Sequence, residues 1–394
     1  MDLNRPEWFQ DPYPDYARLR ASGQPLWLPH EENYASEGVW LFARYAEAVA
    51  LFKETRAITK NVRDRRLQTE RTPFDIHMLN RDGADHARLR RLVAHFFSPH
   101  AVGRLEPAIV AQTDLLIEAM RSRNEADLIA DFAEPLPLFV IARLLGLDPQ
   151  EMAQVRKWST VLAVGSDSVL MSEALREKRK QALSDFLDYV GRLEARMRTE
   201  KGERMVPFLF GAEASGRLSH EELIATVTLM LFAGHETTVN LIGNGLWLLL
   251  SDPEQWKLLQ RRPELVPGAV EEILRYECPI QRSTYRFTTE PVTISGFRIK
   301  AGHQLAAIIG SANRDEREFR NPEVFDVTRS PNRHLAFGVG VHNCLGKTLA
   351  RLEGRIALRQ MLSLPVRPRL LSGQPRWRKN SFFRGLEALP VTLA

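Results

Sequence analysis

Two cysteines, Cys278 and Cys344, are all that 394 residues contain. That scarcity excludes a disulfide-stapled scaffold. It also excludes a zinc site of the usual kind, because no CxxC pair or second Cys/His cluster exists. Charge of one sign is not in excess either. Lys and Arg number 54 against 49 Asp and Glu, a net charge of +5, and the two signs are interleaved. A nucleic-acid binder would gather its basic residues into a stripe carrying a recognisable motif. Gly/Ser linkers, internal repeats and low-complexity segments are missing, and Met1-Asp2-Leu3-Asn4-Arg5-Pro6 has no apolar signal run. One long, largely apolar stretch, Leu223 to Leu250, is interrupted by His235, Glu236, Thr237, Thr238, Asn240 and Asn244. Polar groups in that number are costly in lipid, so it reads as a helix buried in protein rather than a membrane span. The expectation is a cytoplasmic protein, folded as a single domain over residues 1–394.

What the chain does have is apolar content, 44% of its residues, sufficient for a large core. Helical spacing runs over 11–23, through Phe52, and over 84–97 with Ser98-Pro99 as its stop. It continues over 102–121, 135–145, 150–164 and 171–200. Ser219-x-x-Glu222 forms a capping box for the long apolar helix, and Pro253 and Pro267 open two more. Short strands are read at 26–29, 39–43, 283–292, 293–299 and 304–309, with a long loop over 59–81. A last helix runs over 347–361, and the chain beyond Pro365 is irregular or short β. The fold class is therefore mainly α, a helix-rich core with a small β-rich part.

The chemistry concentrates in Phe337-Gly338-Val339-Gly340-Val341-His342-Asn343-Cys344-Leu345-Gly346. Two plain readings of it fail, and so does one of the pair His235-Glu236 on the long helix. A dinucleotide-binding turn lacks its last glycine, because position 343 is Asn. A phosphate loop ending at Gly346-Lys347-Thr348 lacks its first, because position 341 is Val. A zinc-protease reading of His235-Glu236 fails because position 239 is Val. Cys344 itself stands at the start of the last helix, where the positive dipole end and free amides favour a thiolate. The flanking glycines let backbone approach a large flat ligand, and His342 offers a donor to an anionic group. Cys278 reads as a structural thiol.

Residues 337–346, as Phe-Gly-x-Gly-x-His-x-Cys-x-Gly, resemble the haem-ligand signature of the cytochromes P-450 in their soluble bacterial form. Further motifs extend the resemblance from about residue 11 to the end. Ala233-Gly234-His235-Glu236-Thr237-Thr238 is similar to the oxygen-activation motif, and Glu272-Ile273-Leu274-Arg275 to the structural Glu-x-x-Arg pair. His86-Ala87-Arg88-Leu89-Arg90 is similar to the segment that holds the haem propionates, and Arg286 falls where the family carries another propionate arginine. The resemblance implies haem b (iron protoporphyrin IX) with Cys344 as the iron ligand. His86, Arg90, Arg286 and His342 would hold propionates, and Ala233, Gly234, Phe337, Gly338 and Gly346 would line the haem. Glu272 and Arg275 would form a buried pair with Arg329, or less readily His334, as third partner.

The implied activity is monooxygenation of an apolar small molecule by O2, the thiolate donating electron density that favours O–O cleavage. Glu236 and Thr237 suit a proton relay, with Gly234 allowing the helix to deform and make room. Because that acid–alcohol pair is present, reducing equivalents are expected from NAD(P)H through a separate ferredoxin or flavodoxin with its reductase. Arg88, Arg91, Lys347 and Arg351 are a candidate docking surface for it. The alternatives are a haem-thiolate peroxygenase or isomerase, and a non-catalytic haem-binding sensor. Terpenoid, steroid, fatty acid and polyketide substrates all fit an apolar pocket drawing on 59–81, 163–175, Leu229 to Thr237, Gln281 and 381–383. Arg63, Arg65 and Arg66 are candidates for a substrate carboxylate, beside the plainer reading of solvated charge.

Overall fold

Helices carry most of the chain, and five of them place the site in this computed structural model. They are α1 (Gly83–Ala94), α2 (Pro135–Leu145), α3 (His220–Ser251), α4 (Val266–Tyr276) and α5 (Lys347–Leu362). The structure describes residues 5–29, 37–61, 76–161 apart from Ala153, Arg156, Ser159 and Thr160, then 173–197, 204–371 and 373–393. Most of the 59–81 loop, Arg63, Arg65 and Arg66 included, and most of 163–175 lie outside the described residues.

The axis of the core is α3, 32 residues or roughly 48 Å long. Its start is fixed by the expected box: Ser219 Oγ accepts from the Glu222 amide at 3.2 Å, and Glu222 Oε2 accepts from the Ser219 amide at 3.0 Å. Along both halves its side chains are buried. It packs on α2 and α5, and α5 packs in turn on α4 and on the helix Glu106–Arg121. No helix among the described residues is long and apolar enough to cross a membrane.

Five short strands make a sheet beside this core: β1 (Leu26–Pro29), β2 (Gly38–Phe42), β3 (Ile58–Thr59), β4 (Arg286–Thr288) and β5 (Gln304–Ala307), in the order β1-β2-β5-β4-β3. Only β2 and β5 run parallel, with Trp40 opposite Leu305. Phe42, Ile58, Leu305 and Ala307 gather a second apolar cluster on it. Two segments differ from their expected extents. The helix expected over 102–121 is broken into Pro99–Gly103 and Glu106–Arg121, because Pro107 has no amide to continue the ladder. The strand expected over 283–292 divides into β4 and Val292–Ile294, with Pro291 unable to donate between them. The helix Met205–Ala214, not foreseen, is apolar on nearly every face, so it carries no periodic signal.

A buried charge pair fixes the chain that leads to Cys344. Arg275 Nε and Nη2 donate to Glu272 Oε2 and Oε1, both at 2.8 Å, and both side chains are 0% exposed. Arg329 Nε donates to Glu272 at 3.1 Å, and Asn332 Nδ2 and the Asp326 amide donate at 3.0 Å each. Arg275 spends its remaining donors on the carbonyls of Asn313, Pro322 and Val324. His334 turns instead to Glu271, at 3.1 Å. Removing one member of such a pair leaves a buried charge without its partner, at about 3–5 kcal/mol. Glu272→Gln is therefore expected to lose about that much stability in urea unfolding. Glu118→Gln, in an exposed pair with Arg121, should leave the midpoint unmoved; equal midpoints for all three proteins would contradict the structural weight given to Glu272.

Candidate active site

The cysteine loop is shaped by two left-handed glycines. Gly338 and Gly340 have φ of 60° and 80°, and a Cβ on Gly340 would lie 2.8 Å from the Phe52 carbonyl oxygen. The Cys344 amide then reaches the Phe337 carbonyl at 2.8 Å. Asn343 Nδ2 donates to the carbonyls of Phe337 and Gly338. From α1, Arg90 Nη2 donates to the Asn343 carbonyl at 2.7 Å, and Lys347 Nζ donates to Asn343 Oδ1 at 2.7 Å. Phe337 is held under the guanidinium of Arg351, 4.5 Å from its ring centroid. The chain preceding the loop is tied through the Leu335 amide to Asn313 Oδ1 at 2.7 Å.

Cys344 is open to solvent on one side, yet enough protein surrounds it that desolvation pushes its thiol pKa up. The Gly346 amide and the charges of Arg90, Lys347 and Arg351 work the other way and do not win. Burial thus opposes the influence expected of the helix start, and a cation on the sulfur would favour the thiolate. Cys278, fully buried, has its thiol pushed up to about 12 by burial. Among the described residues no cluster of three or more His, Cys, Asp or Glu side chains is placed to hold a metal ion.

Beside the loop stands a cluster of cationic donors with too few acids. Arg286 on β4 lies 4.8 Å over Phe52, and burial pushes its pKa down to about 10. Lys60 is 2% exposed, and burial together with Arg286 drives its pKa well below the ordinary range. Its Nζ donates to Thr284 Oγ1 at 2.6 Å. The rings of His86 and His342 stand 4.2 Å apart. Desolvation lowers both, His342 to about 4. The one carboxylate among them is Asp82, which meets His342 Nε2 at 2.7 Å and accepts from Thr59 Oγ1 and the Lys60 amide. His342 Nδ1 is buried without a hydrogen-bond partner. Lys60 and Asp82 were not foreseen, since each stood at the edge of a charged stretch with no periodicity around it. A surplus of buried donors and one orphaned ring nitrogen fit a group bringing two carboxylates, as the haem propionates would.

The middle of α3 supplies the other surface. Ala233 is exposed and Phe232, Gly234 and Thr237 are half-buried, on a helix buried elsewhere. A large flat apolar group would cover them. The helix runs unbroken through Gly234, where a Cβ would meet Ile141 Cδ1 at 2.7 Å. Gly234 therefore serves the close approach of α2, and the local deformation expected of it is not seen. Thr237 Oγ1 donates to the Ala233 carbonyl at 3.2 Å. Glu236 points elsewhere: its Oε1 accepts from Arg378 Nη1 at 2.8 Å, and Arg378 Nη2 reaches Glu134 Oε1 at 2.9 Å. Arg378 gave no signal in the sequence, being 142 residues from Glu236. No hydrogen bond joins Glu236 to Thr237.

Three of the four candidate docking cations have partners within the chain. Arg88 holds Glu222 at 2.6 Å, Arg351 holds Glu271 at 2.6 Å, and Lys347 is bound to Asn343. Only Arg91 of the four stands exposed on α1 without such a commitment.

This chain belongs to the cytochrome P-450 family. The family model described as Cytochrome P-450 matches residues 43–261 and 255–364. The chain is 38% identical, over 98% of its length and 97% of the other's, to the polyketide biosynthesis cytochrome P-450 PksS of Bacillus subtilis. It is 39% identical to cytochrome P-450 107B1 of Saccharopolyspora erythraea, over 97% and 95% of the two chains. A myxobacterial cytochrome P-450 solved with myristic acid superposes with a TM-score of 0.93 at 38% identity, covering 100% of this chain and 98% of that one. The fold is the helix-rich P-450 fold, the enzyme is a P-450 monooxygenase, and its cofactor is a haem–thiolate.

Two outcomes test this geometry. Arg286→Leu removes one donor of the surplus, so haem should pass to an apo-globin acceptor about tenfold faster or more; an unchanged rate would free Arg286 from the propionates. Glu271 is half-buried against Arg351 and His334. Burial raises its pKa, but their hydrogen bonds prevail and lower it to about 2. Its stabilisation is present above the ordinary carboxylate pKa and fades as pH falls from about 4.5 toward 2. Glu271→Gln should flatten the stability profile across that window while lowering the neutral-pH plateau.

Proposed function

We propose that this enzyme inserts one oxygen atom into an apolar small molecule, by hydroxylation or epoxidation, with electrons from a separate ferredoxin or flavodoxin and its NAD(P)H-dependent reductase. The observation that carries it is the exposed middle of α3, where the Thr237 hydroxyl stands beside the open surface of Ala233 while Glu236 is held by Arg378 on the other side. The relatives are in keeping with an apolar substrate: one serves polyketide biosynthesis and another was crystallised with myristic acid.

Haem held by Cys344, with His86, Arg90, Arg286, His342 and Lys60 around its carboxylates, would supply the oxygen-activating redox chemistry. The chain's own residues do the rest. Thr237 offers a hydroxyl that releases the Ala233 carbonyl to hold a water or oxygen atom, at the cost of one helix-internal hydrogen bond. Glu236 is a carboxylate adjacent to that hydroxyl in sequence, about 100° round the helix from it. In the resting arrangement Arg378 holds it together with Glu134, away from direct contact with Thr237. Release of Glu236 from Arg378 would let the acid swing toward Thr237, so Arg378 acts as a positioning residue. Val239, Leu241 and Ile242 follow on the buried face of α3 and keep bulk water out.

Thr237→Ala should divert reductant to hydrogen peroxide, lowering the ratio of product to NAD(P)H consumed by about tenfold or more. Arg378→Met should alter the pH profile of coupling while substrate-induced spectral shifts persist. Unchanged coupling in Thr237→Ala would remove the relay, and turnover with peroxide alone but none with reductase and ferredoxin would replace monooxygenation by peroxygenation.

A further inference from the structure

Seven arginines are buried among the described residues: Arg20, Arg81, Arg275, Arg282, Arg286, Arg314 and Arg384. Five of them hold a carboxylate. Arg20 meets Glu316, Arg81 meets Asp85, Arg275 meets Glu272, Arg314 meets Glu323 and Arg384 meets Glu277. Arg286 holds none, and its place in the cationic cluster assigns it to an anionic group of the cofactor. Arg282 is the remaining case. It is 8% exposed, and among the described residues no carboxylate, carbonyl or hydroxyl accepts from its guanidinium.

What Arg282 touches is aromatic. Its guanidinium carbon lies 4.4 Å from the Tyr285 ring centroid and 5.8 Å from that of Phe382. Such contacts stabilise a cation but leave its five N–H donors without a protein acceptor, on an edge that is not among the buried unsatisfied atoms and so stays reachable. Its backbone is not free to relieve this, because Arg282 bridges Ile308 and the Gln281 amide donates to the Phe382 carbonyl at 2.8 Å. Phe382 itself sits half-buried on a turn closed by Asn380, whose Oδ1 accepts from the amides of Phe382 and Phe383 at 2.8 Å each. A planar fork over an aromatic floor, with its hydrogen-bonding edge unused, is built to receive a carboxylate in bidentate fashion. Three residues separate Arg282 from Arg286, and the two guanidinium groups stand over different rings, Arg282 over Tyr285 and Phe382 and Arg286 over Phe52.

We propose that Arg282, seated on Tyr285 and Phe382, anchors a free carboxylate at the polar end of an otherwise apolar substrate. The substrate class is then an aliphatic or polyketide-like acid rather than a neutral hydrocarbon, steroid or terpene. This deepens the proposed function and rests on its apolar-substrate reading; the guanidinium fixes which end of the molecule stays away from the oxygen chemistry.

The test is calorimetric titration of the haem-loaded enzyme with dodecanoate and with methyl dodecanoate, for wild type, Arg282→Met and Arg282→Lys. The difference absorption spectrum of the reduced carbon monoxide adduct checks that haem and thiolate are intact in each. Loss of a charge-assisted pair should raise the dissociation constant of dodecanoate by about 10- to 100-fold in Arg282→Met. Arg282→Lys should recover part of that loss, and methyl dodecanoate should bind all three proteins alike. If both ligands weaken together, or dodecanoate binds Arg282→Met as tightly as wild type, the anchor is overturned. So is it if Arg282→Met and Arg282→Lys both lose haem, which would place Arg282 with the propionates. Failure of the anchor with product still formed from a neutral apolar substrate would leave the monooxygenase reading standing. Failure of that reading appears instead as dodecanoate bound with the expected Arg282 dependence but no oxygen-dependent product.

Discussion

The constraint on which the rest depends is that Glu272 and Arg275, both without solvent, must be satisfied completely. A buried ion pair repays its desolvation only when the remaining lone pairs and protons also find partners. Here those partners are drawn from the chain between Asn313 and Asn332: three carbonyls for Arg275, and Arg329, Asn332 and the Asp326 amide for Glu272. An irregular segment is thereby given one conformation without helix or strand to hold it. Asn313 extends the same order to the Leu335 amide, and Glu271, one residue before Glu272, extends it through Arg351 to the ring of Phe337. Cys344 is thus placed by a charge pair on α4, with helix α5 serving as the frame.

That placement costs the thiol and the cations around it in opposite senses. Desolvation raises Cys344 while it lowers Lys60, His86, Arg286 and His342. Left to the protein alone, both shifts work against the charged forms. A ligand that brings positive charge to the sulfur and negative charge to the donors relieves both together, so binding energy is concentrated in one group that carries each sign at the right end. The site is selective for that reason: an anion alone would answer the cluster, and a metal alone the sulfur.

How much of this was legible in the sequence varies with distance along the chain. The cysteine loop, the capping box of α3 and the extent of α2 depend on residues a few positions apart, and local spacing expressed them directly. Glu272 and Arg275 were visible as a pair, but spacing of three cannot distinguish a solvated helix face from a charge buried at 0% exposure; only the resemblance did. Arg378, Lys60 and Asp82 meet their partners across the fold, so no window of sequence contains the interaction. The environment of the thiol was only half legible, for a different reason. Helix position reports the dipole, whereas the larger influence is how much protein surrounds the sulfur. Gly234 was misread similarly, because a glycine needed for close packing and one needed for bending look the same until Ile141 is seen beside it.

One segment near the C-terminus joins two parts of the proposed chemistry. Arg378, which holds Glu236, and Phe382, which floors Arg282, are four residues apart on it. The segment is tied at both flanks, by the Arg378 amide on the Gly385 carbonyl at 3.0 Å and by Arg384 on Glu277 at 2.5 Å. A Cβ on Gly385 would overlap Asn240 of α3, so the strip lies flush against the helix that carries Thr237. A short, doubly tied strip has few ways to move at one end and not the other. A substrate that shifted Phe382, as the proposed anchor at Arg282 implies, would therefore bear on Arg378 and through it on Glu236.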